Sequence, residues 1–203
     1  FTFKTTLNTK LCIINRRMKM YGIEILLEEH KNILKFVNFT REECKKILNG
    51  ADIDVTLFKE CVSFGKNYAD HHHHVKEEEI LFKKMTEHLG KTAETIIKNG
   101  MLVEHDLGRL YISELETALN RYETKKDDDS KLDIISYMTA YGHLLNRHID
   151  KENNAVYTFA ERQLNVQLKE EIDKETKVFD EIQEEIALKE KALAWLNTKT
   201  AVS

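Results

Sequence analysis

The sequence contains no proline and only seven glycines among its 203 residues. Helix interiors exclude proline, because its ring removes a backbone donor and clashes with the preceding turn, and they disfavour glycine. A chain of this length without proline therefore indicates long helices. We predict an all-α fold, and the chain is long enough to bury a substantial core.

Cysteine is scarce as well. The chain has three, Cys12, Cys44 and Cys61, an odd number with no two of them in CxxC spacing. This pattern argues against a disulfide framework and against an iron–sulfur cluster. We expect free thiols in a reducing compartment, and hence a cytoplasmic protein.

Long apolar runs and an excess of positive charge are also missing. No run of 18 or more apolar residues occurs, so no membrane span is predicted. The formal net charge of -4 gives no basic surface for nucleic acid. Residues 1–19 are basic, but their apolar patch is too short for a secretory signal, and we predict a peripheral N-terminal extension there.

Apolar residues recur at three- and four-residue steps in most of the remaining chain, which is typical of amphipathic helices. The first predicted helix covers about residues 23–48, and the second begins at a cap, Asp52 or Asp54, and ends near residue 89. The pair Asn99-Gly100 predicts a break before the third helix. The charged run at 125–129 is predicted to be a solvated loop, followed by a fourth helix from residue 129 or 130.

Short connections between these helices predict an antiparallel up-down-up-down four-helix bundle over residues 20–164. Residues 165–203 are predicted to form an additional C-terminal helix, whose apolar stripe includes Phe179 and Trp195. We expect this stripe to pack within the chain, with pairing of two chains as a homodimer as the alternative.

Each of the four bundle helices carries one histidine on its apolar face: His30, His73, His105 and His148. A single histidine in such a position is more often a hydrogen-bonded core residue. Two of the four, however, are followed four residues later by a glutamate, at Glu77 and Glu152. Residues four apart lie on the same face of a helix, so each pair can direct a nitrogen and an oxygen to the bundle axis.

Imidazole and carboxylate ligands together suit iron or manganese, and zinc remains open on ligand type. A ferritin-like site would need inward glutamates on two helices and Glu-x-x-His on the other two, which this sequence does not have. The four histidines and two glutamates therefore predict a metal centre of a different kind inside the bundle.

The remaining polar residues near these positions have less direct interpretations. Neighbours on a helix differ by about 100°, so His71 and His74 are predicted to be solvated, while His72 and His143 are kept as candidates for a fifth ligand or a supporting group. For Arg109, one turn after His105, we favour a structural ion pair over a role in holding an anionic ligand.

The segments at 28–31, 73–82, 100–109 and 148–154 together resemble the hemerythrin-like, or HHE cation-binding, family of non-haem di-iron four-helix bundles. The oxygen-carrying members have a second histidine where this chain has Arg109, so the resemblance is to a variant with four histidines and two glutamates. It implies two iron ions, bridged by the two glutamates and by an oxo or hydroxo group. The ligands it implies are His30, His73, Glu77, His105, His148 and Glu152.

This resemblance implies a protein that binds or senses oxygen, nitric oxide or peroxide at an open iron position. Two alternatives remain: a di-iron enzyme that decomposes peroxide or reduces oxygen, and an iron donor for the repair of damaged iron centres. A purely structural bundle would leave four inward histidines and two inward glutamates unexplained, because burying unpaired charge is costly.

Overall fold

The structure is a computed structural model that describes residues 20–201, so the predicted extension at 1–19 lies outside the described residues. Six helices follow one another, and no β-strand occurs between residues 20 and 201, which confirms the predicted all-α class. The helices are α1 (Tyr21–Leu48), α2 (55–88), α3 (90–125), α4 (128–163), α5 (Val166–Asp180) and α6 (Gln183–Thr200).

Side-chain caps fix where three of these helices begin. Asp54 caps α2 by accepting a hydrogen bond from the backbone N–H of Leu57 at 2.9 Å, and it is one of the two residues predicted for that role. The cap of α4 is Asp127, which accepts from the N–H of Ser130 at 2.8 Å, so the predicted caps Asp129 and Ser130 are wrong. Only residues 126 and 127 of the charged run at 125–129 lie between helices, because α3 extends to Lys125 and α4 begins at Asp128.

Three of the long helices contain π-helical segments, in which backbone hydrogen bonds span five residues. The segments are Gly65–His74 and Glu77–Phe82 in α2, Ile97–Met101 in α3 and Glu152–Val156 in α4. The break predicted at Asn99-Gly100 is therefore wrong, since the chain continues through it as a π-helical turn and α3 already begins at Gly90. Such turns are rare and are frequent at functional sites.

Apolar side chains form two separate clusters. The Phe36 cluster includes Phe36, Tyr68, Leu115, Met138 and Leu196. The Phe82 cluster includes Leu26, Phe82, Met101, Tyr157 and Ile172. Along α1 to α4 the order in which the chain reaches the two clusters alternates from one helix to the next, which favours the predicted up-down-up-down order. The histidines and glutamates of interest lie between the two clusters in all four helices.

The C-terminal region forms two helices, so the prediction of one additional helix is wrong. The break falls at Ile182, which has an extended backbone. It allows each helix to reach a different cluster: α5 contributes Leu168 and Ile172 to the Phe82 cluster, and α6 contributes Leu196 to the Phe36 cluster. Phe179 and Trp195, the ends of the predicted stripe, also pack within the chain.

Two further observations bear on the composition. Cys44 and Cys61 are free and buried, and burial raises the pKa of the Cys44 thiol to about 11. Cys12 lies outside the described residues. Among the helices of residues 20–201, none combines the length and the apolar character that crossing a membrane requires.

Candidate metal centre

The structure brings together the six residues predicted to bind metal. All six are buried, and the two glutamates are fully inaccessible to solvent. The ligand atoms of these six residues, together with one of His74, form two neighbouring groups. In each group all atoms lie within 4.8 Å of one another. One group contains His30, His73, Glu77 and Glu152, and the other contains His74, Glu77, His105 and His148.

The two carboxylates connect the two groups. Glu152 places Oε2 3.2 Å from Nε2 of His30 and Oε1 3.0 Å from Nε2 of His148, so each oxygen faces a different group. Glu77 Oε2 lies 3.4 Å from Nε2 of His105 and 3.6 Å from Nε2 of His73. Both glutamates therefore have the arrangement that a carboxylate bridging two cations requires.

Each of the four predicted histidines has an oxygen partner on its outer ring nitrogen. The contacts from Nδ1 are to Asn153 Oδ1 (2.7 Å) for His30, Glu29 Oε2 (3.0 Å) for His73, Glu78 Oε1 (2.6 Å) for His105 and Glu104 Oε2 (2.9 Å) for His148. Because these oxygens accept, Nδ1 donates and the neutral ring keeps its lone pair on Nε2, which faces the centre. Partners of this kind fix ring orientation and tautomer in metal sites.

Three buried carboxylate oxygens, Glu77 Oε2, Glu152 Oε1 and Glu152 Oε2, accept no well-aligned hydrogen bond within residues 20–201, although the histidine Nε2 atoms lie nearby. Burying a charged oxygen without a partner is costly, and a cation bound there would remove the cost. The donor set also suits a metal, since imidazole and carboxylate bind iron, manganese and zinc. These residues therefore fit the metal centre that the sequence predicts.

The pKa values in the cluster reflect how closely its carboxylates and imidazoles are packed. Burial raises the pKa of the Glu152 carboxyl, but the imidazoles of His148 and His105 outweigh it and hold that pKa well below its ordinary value. Burial lowers the pKa of His105, but the carboxylates of Glu152 and Glu77 outweigh it and raise that pKa well above its ordinary value. The carboxylates of Glu152 and Glu77 therefore favour the protonated form of His105, and the imidazoles of His148 and His105 favour the ionised form of Glu152.

The histidine run at 71–74 differs in part from the prediction. His71 is exposed, as predicted, but His74 is only 4% exposed, and the prediction that it is solvated is wrong. Its ring stacks on His105 with centroids 3.7 Å apart and planes 5° apart. A π-helical turn rotates less per residue than an α-helical one, so His73 and His74 both face the interior. The prediction assumed the α-helical rotation.

The two other candidates for a fifth ligand lie away from the centre. His72 is buried, but its Nε2 lies 3.2 Å from Nζ of Lys76 and 3.1 Å from Oε1 of Glu29, outside both ligand groups. His143 is exposed on α4. Neither belongs to the two ligand groups of the centre, although His72 forms a separate third group with Glu29 and Asp180.

Tyr157 is a residue of the site that sequence reasoning missed. Its buried hydroxyl donates to Oε1 of Glu77 at 2.5 Å and lies 3.4 Å from Nε2 of His30, and its ring stacks on that of His30. Burial and the charge of Glu77 raise the pKa of Tyr157 well above its ordinary value. Tyr157 follows Glu152 by five residues, a spacing that an α-helix would not align but that the π-helical turn at Glu152–Val156 does.

Arg109 forms structural ion pairs, which is the interpretation that the sequence favours. Its guanidinium contacts Asp70 at 2.8 Å, Glu78 at 2.7 Å and Asp106 at 3.0 Å. Two of these carboxylates also hold ring nitrogens, since Asp70 contacts His74 and Glu78 contacts His105. Arg109 therefore positions the residues that orient two histidines.

A buried lysine, which no sequence pattern indicates, extends the polar network towards the C-terminal helices. Lys76 is 1% exposed and its ammonium contacts Glu29, His72 and Asp180. Glu29 in turn contacts Nδ1 of His73. A third group of possible ligands, Glu29, His72 and Asp180, thus already has a cation in the form of Lys76.

Comparison with known proteins agrees with this geometry. No curated protein and no solved structure matches the chain. The family model described as the hemerythrin HHE cation-binding domain matches residues 21–160, which include all four helices that carry the centre. The chain therefore belongs to the hemerythrin HHE cation-binding domain family.

Proposed function

We propose that this chain binds two iron ions between α1, α2, α3 and α4, and that it binds or senses oxygen, nitric oxide or peroxide there. The observation that carries the proposal is the pair of ligand groups that share Glu77, together with the unpartnered oxygens of Glu77 and Glu152. The proposed ligands are the six residues predicted from sequence, arranged in an up-down-up-down bundle: His30, His73, Glu77, His105, His148 and Glu152. When bound, a non-haem di-iron centre supplies the redox chemistry for such small ligands.

The residues of the chain have distinct tasks in this proposal. The four histidines offer Nε2 atoms whose orientation is fixed by the contacts at Nδ1. Glu77 and Glu152 would hold both ions, since each lies beside histidines of both groups. The two apolar clusters on either side keep bulk water from the centre, which strengthens electrostatic contacts inside it.

Binding or sensing is favoured over catalysis by how the nearby donors are used. Catalysis of peroxide or oxygen reduction needs a group that delivers protons at the centre. The hydroxyl of Tyr157 already donates to Glu77, and the guanidinium of Arg109 is held by Asp70, Glu78 and Asp106. Iron donation is disfavoured because the proposed ligands are at most 2% exposed.

The first test is metal content and colour. We expect the purified chain, supplied with iron, to hold about two irons per chain, as imidazole and carboxylate donors favour, with a near-ultraviolet charge-transfer absorption that bleaches on reduction. A protein that holds only zinc, or no metal after iron supplementation, would contradict the di-iron proposal.

The second test separates binding from catalysis. The reduced, iron-loaded protein is mixed with oxygen, and with nitric oxide in a parallel experiment. A coloured adduct that disappears on evacuation supports reversible binding, and a stable one-time spectral change supports sensing. Continuous consumption of oxygen or peroxide with a reductant would show an enzyme and contradict the proposal.

A further inference from the structure

His74 has the position of a ligand although it is absent from the set predicted from sequence. One of its ring nitrogens lies within 4.8 Å of ligand atoms of Glu77, His105 and His148. The side chain is buried among the ring of His105, on which it stacks, and the ring of His148, whose centroid is 5.9 Å away. The opposite group holds two imidazoles, His30 and His73.

The hydrogen bonding of His74 follows the pattern of the four predicted ligands. Its Nδ1 contacts Oδ1 of Asp70 at 3.1 Å, so the carboxylate accepts from Nδ1 and the lone pair of the neutral ring lies on Nε2. Asp70 is itself held by the guanidinium of Arg109 at 2.8 Å. A carboxylate behind a histidine, fixed in turn by a cation, is the arrangement that orients metal-binding imidazoles.

The neighbouring histidines of the run provide an internal comparison. His72 also has a carboxylate on Nδ1, Glu185 at 2.9 Å, but its Nε2 faces Lys76 and Glu29. His71 is exposed and contacts Glu185 at the surface. A partner on Nδ1 therefore does not by itself make a ligand. His74 differs from His72 because one of its ring nitrogens lies within 4.8 Å of ligand atoms of Glu77, His105 and His148.

We infer that His74 is a fifth imidazole ligand for the iron that His105 and His148 would hold, and that its ring turns out of the stack on His105 to bind, because rings in parallel planes cannot direct their lone pairs to one ion. The inference rests on the proposed di-iron function and adds a residue to it. One iron would then be held by three imidazoles and the other by two. The alternative is that His74 only packs on His105, in which case Asp70 alone satisfies its polar requirement.

Two variants separate ligation from packing. His74→Ala removes the ring, and His74→Phe removes both nitrogens while it keeps an aromatic ring that can stack on His105. His71→Ala, at the exposed end of the same run, is the matched control. Each protein is loaded with ⁵⁷Fe²⁺ under anaerobic conditions, and far-ultraviolet circular dichroism verifies that it is helical. Iron content and the Mössbauer spectrum are then measured.

For the wild-type protein and His71→Ala we expect about two irons and two quadrupole doublets of equal area, one for each ligand environment. For both His74 variants we expect the doublet of one iron to be lost or shifted, with iron content falling towards about one per chain because the ligands of one ion are incomplete. If His74→Phe keeps two irons and an unchanged spectrum, His74 is not a ligand, although the di-iron proposal stands. Absence of iron from the wild-type protein would instead overturn the proposed function, and the inference with it.

Discussion

The Nε2 atoms of His105 and His148 lie 3.0 Å apart inside the protein. On the other side of each ring, Nδ1 contacts a carboxylate, Glu78 for His105 and Glu104 for His148. If both rings are neutral, two lone pairs therefore face each other. Either a metal lies against both nitrogens or one ring carries a second proton that the other accepts. Without a metal, one of the two rings must carry the second proton, and this makes the stability of the metal-free protein depend on pH.

We predict that the metal-free protein loses stability as the pH rises above about 6.5. Burial opposes protonation of His105, His148 and His30, but the glutamates outweigh it and raise the pKa of each. The stability that a raised histidine pKa contributes is complete below the unfolded pKa, near 6.5, and is lost as the pH passes the folded value. The measurement is the free energy of unfolding in urea, with a chelator present.

Burial lowers the pKa of His73 and holds that of His74 well below its ordinary value, and these two affect stability only below about pH 6.5. Measurements above about pH 6.5 therefore report on the three histidines whose pKa is raised, His105, His148 and His30. Iron-loaded protein is the control and should show no such decline, because the metal replaces the protons. A metal-free protein whose free energy of unfolding does not fall as the pH rises above about 6.5 would contradict the prediction.

Glu77→Gln should remove both irons. The substitution keeps the size of the side chain but removes the charge that both ligand groups share. We expect iron binding to weaken by more than the roughly 10- to 100-fold that loss of a supporting partner costs. Iron content after dialysis against a chelator measures the effect, and Glu79→Gln, two residues away and exposed, is the control. Retention of two irons by Glu77→Gln would rule out Glu77 as a bridge.

Tyr157→Phe should destabilise the metal-free protein by about 1–3 kcal/mol, the cost of leaving a buried acceptor unpaired. The ring still stacks on His30, but Oε1 of Glu77 loses its donor. Urea unfolding of the metal-free variant gives the value, and Tyr137→Phe, half-buried beside the Phe36 cluster, is the comparison. An unchanged free energy of unfolding would show that the hydroxyl of Tyr157 contributes nothing to the site.

Lys76→Met should cost about 3–5 kcal/mol of stability, because it leaves the carboxylate of Glu29 buried without its cation. Adding Glu29→Gln to Lys76→Met removes the stranded charge, so the double variant should be more stable than Lys76→Met alone. The urea unfolding free energies of the single and double variants give the coupling. Lys83→Met, on the exposed side of α2, is the control. A double variant less stable than Lys76→Met would contradict this account.

Much of the architecture follows from sequence periodicity, because the absence of proline and the three- and four-residue apolar spacing both indicate long helices. The four-residue spacing of His73 to Glu77 and of His148 to Glu152 was sufficient to predict that each pair shares one face of its helix, since residues four apart do so in nearly any helical geometry. Their role as ligands stays a prediction until metal is measured. The cap at Asp54 was also predictable, as one of two nearby acidic residues.

His74 and Tyr157 were not predictable from the same reasoning, because their inward direction depends on π-helical turns at 65–74 and 152–156. A π-helical turn leaves no distinct residue pattern, and its reduced rotation changes which side chains share a face. Lys76 was missed for another reason: a charged residue within a charged stretch predicts exposure, whereas Phe179 and Asp180 of α5 cover its ammonium group.

The division of the apolar interior into two clusters affects how this protein can open. Because a polar layer lies between the Phe36 and Phe82 clusters, we expect each to be able to lose its order while the other keeps it. Ions held by Glu77 and Glu152 would tie the two halves into one cooperative unit. Amide hydrogen exchange would then show two levels of protection in the metal-free protein and one in the loaded protein, so that iron acts on the chain as an internal cross-link.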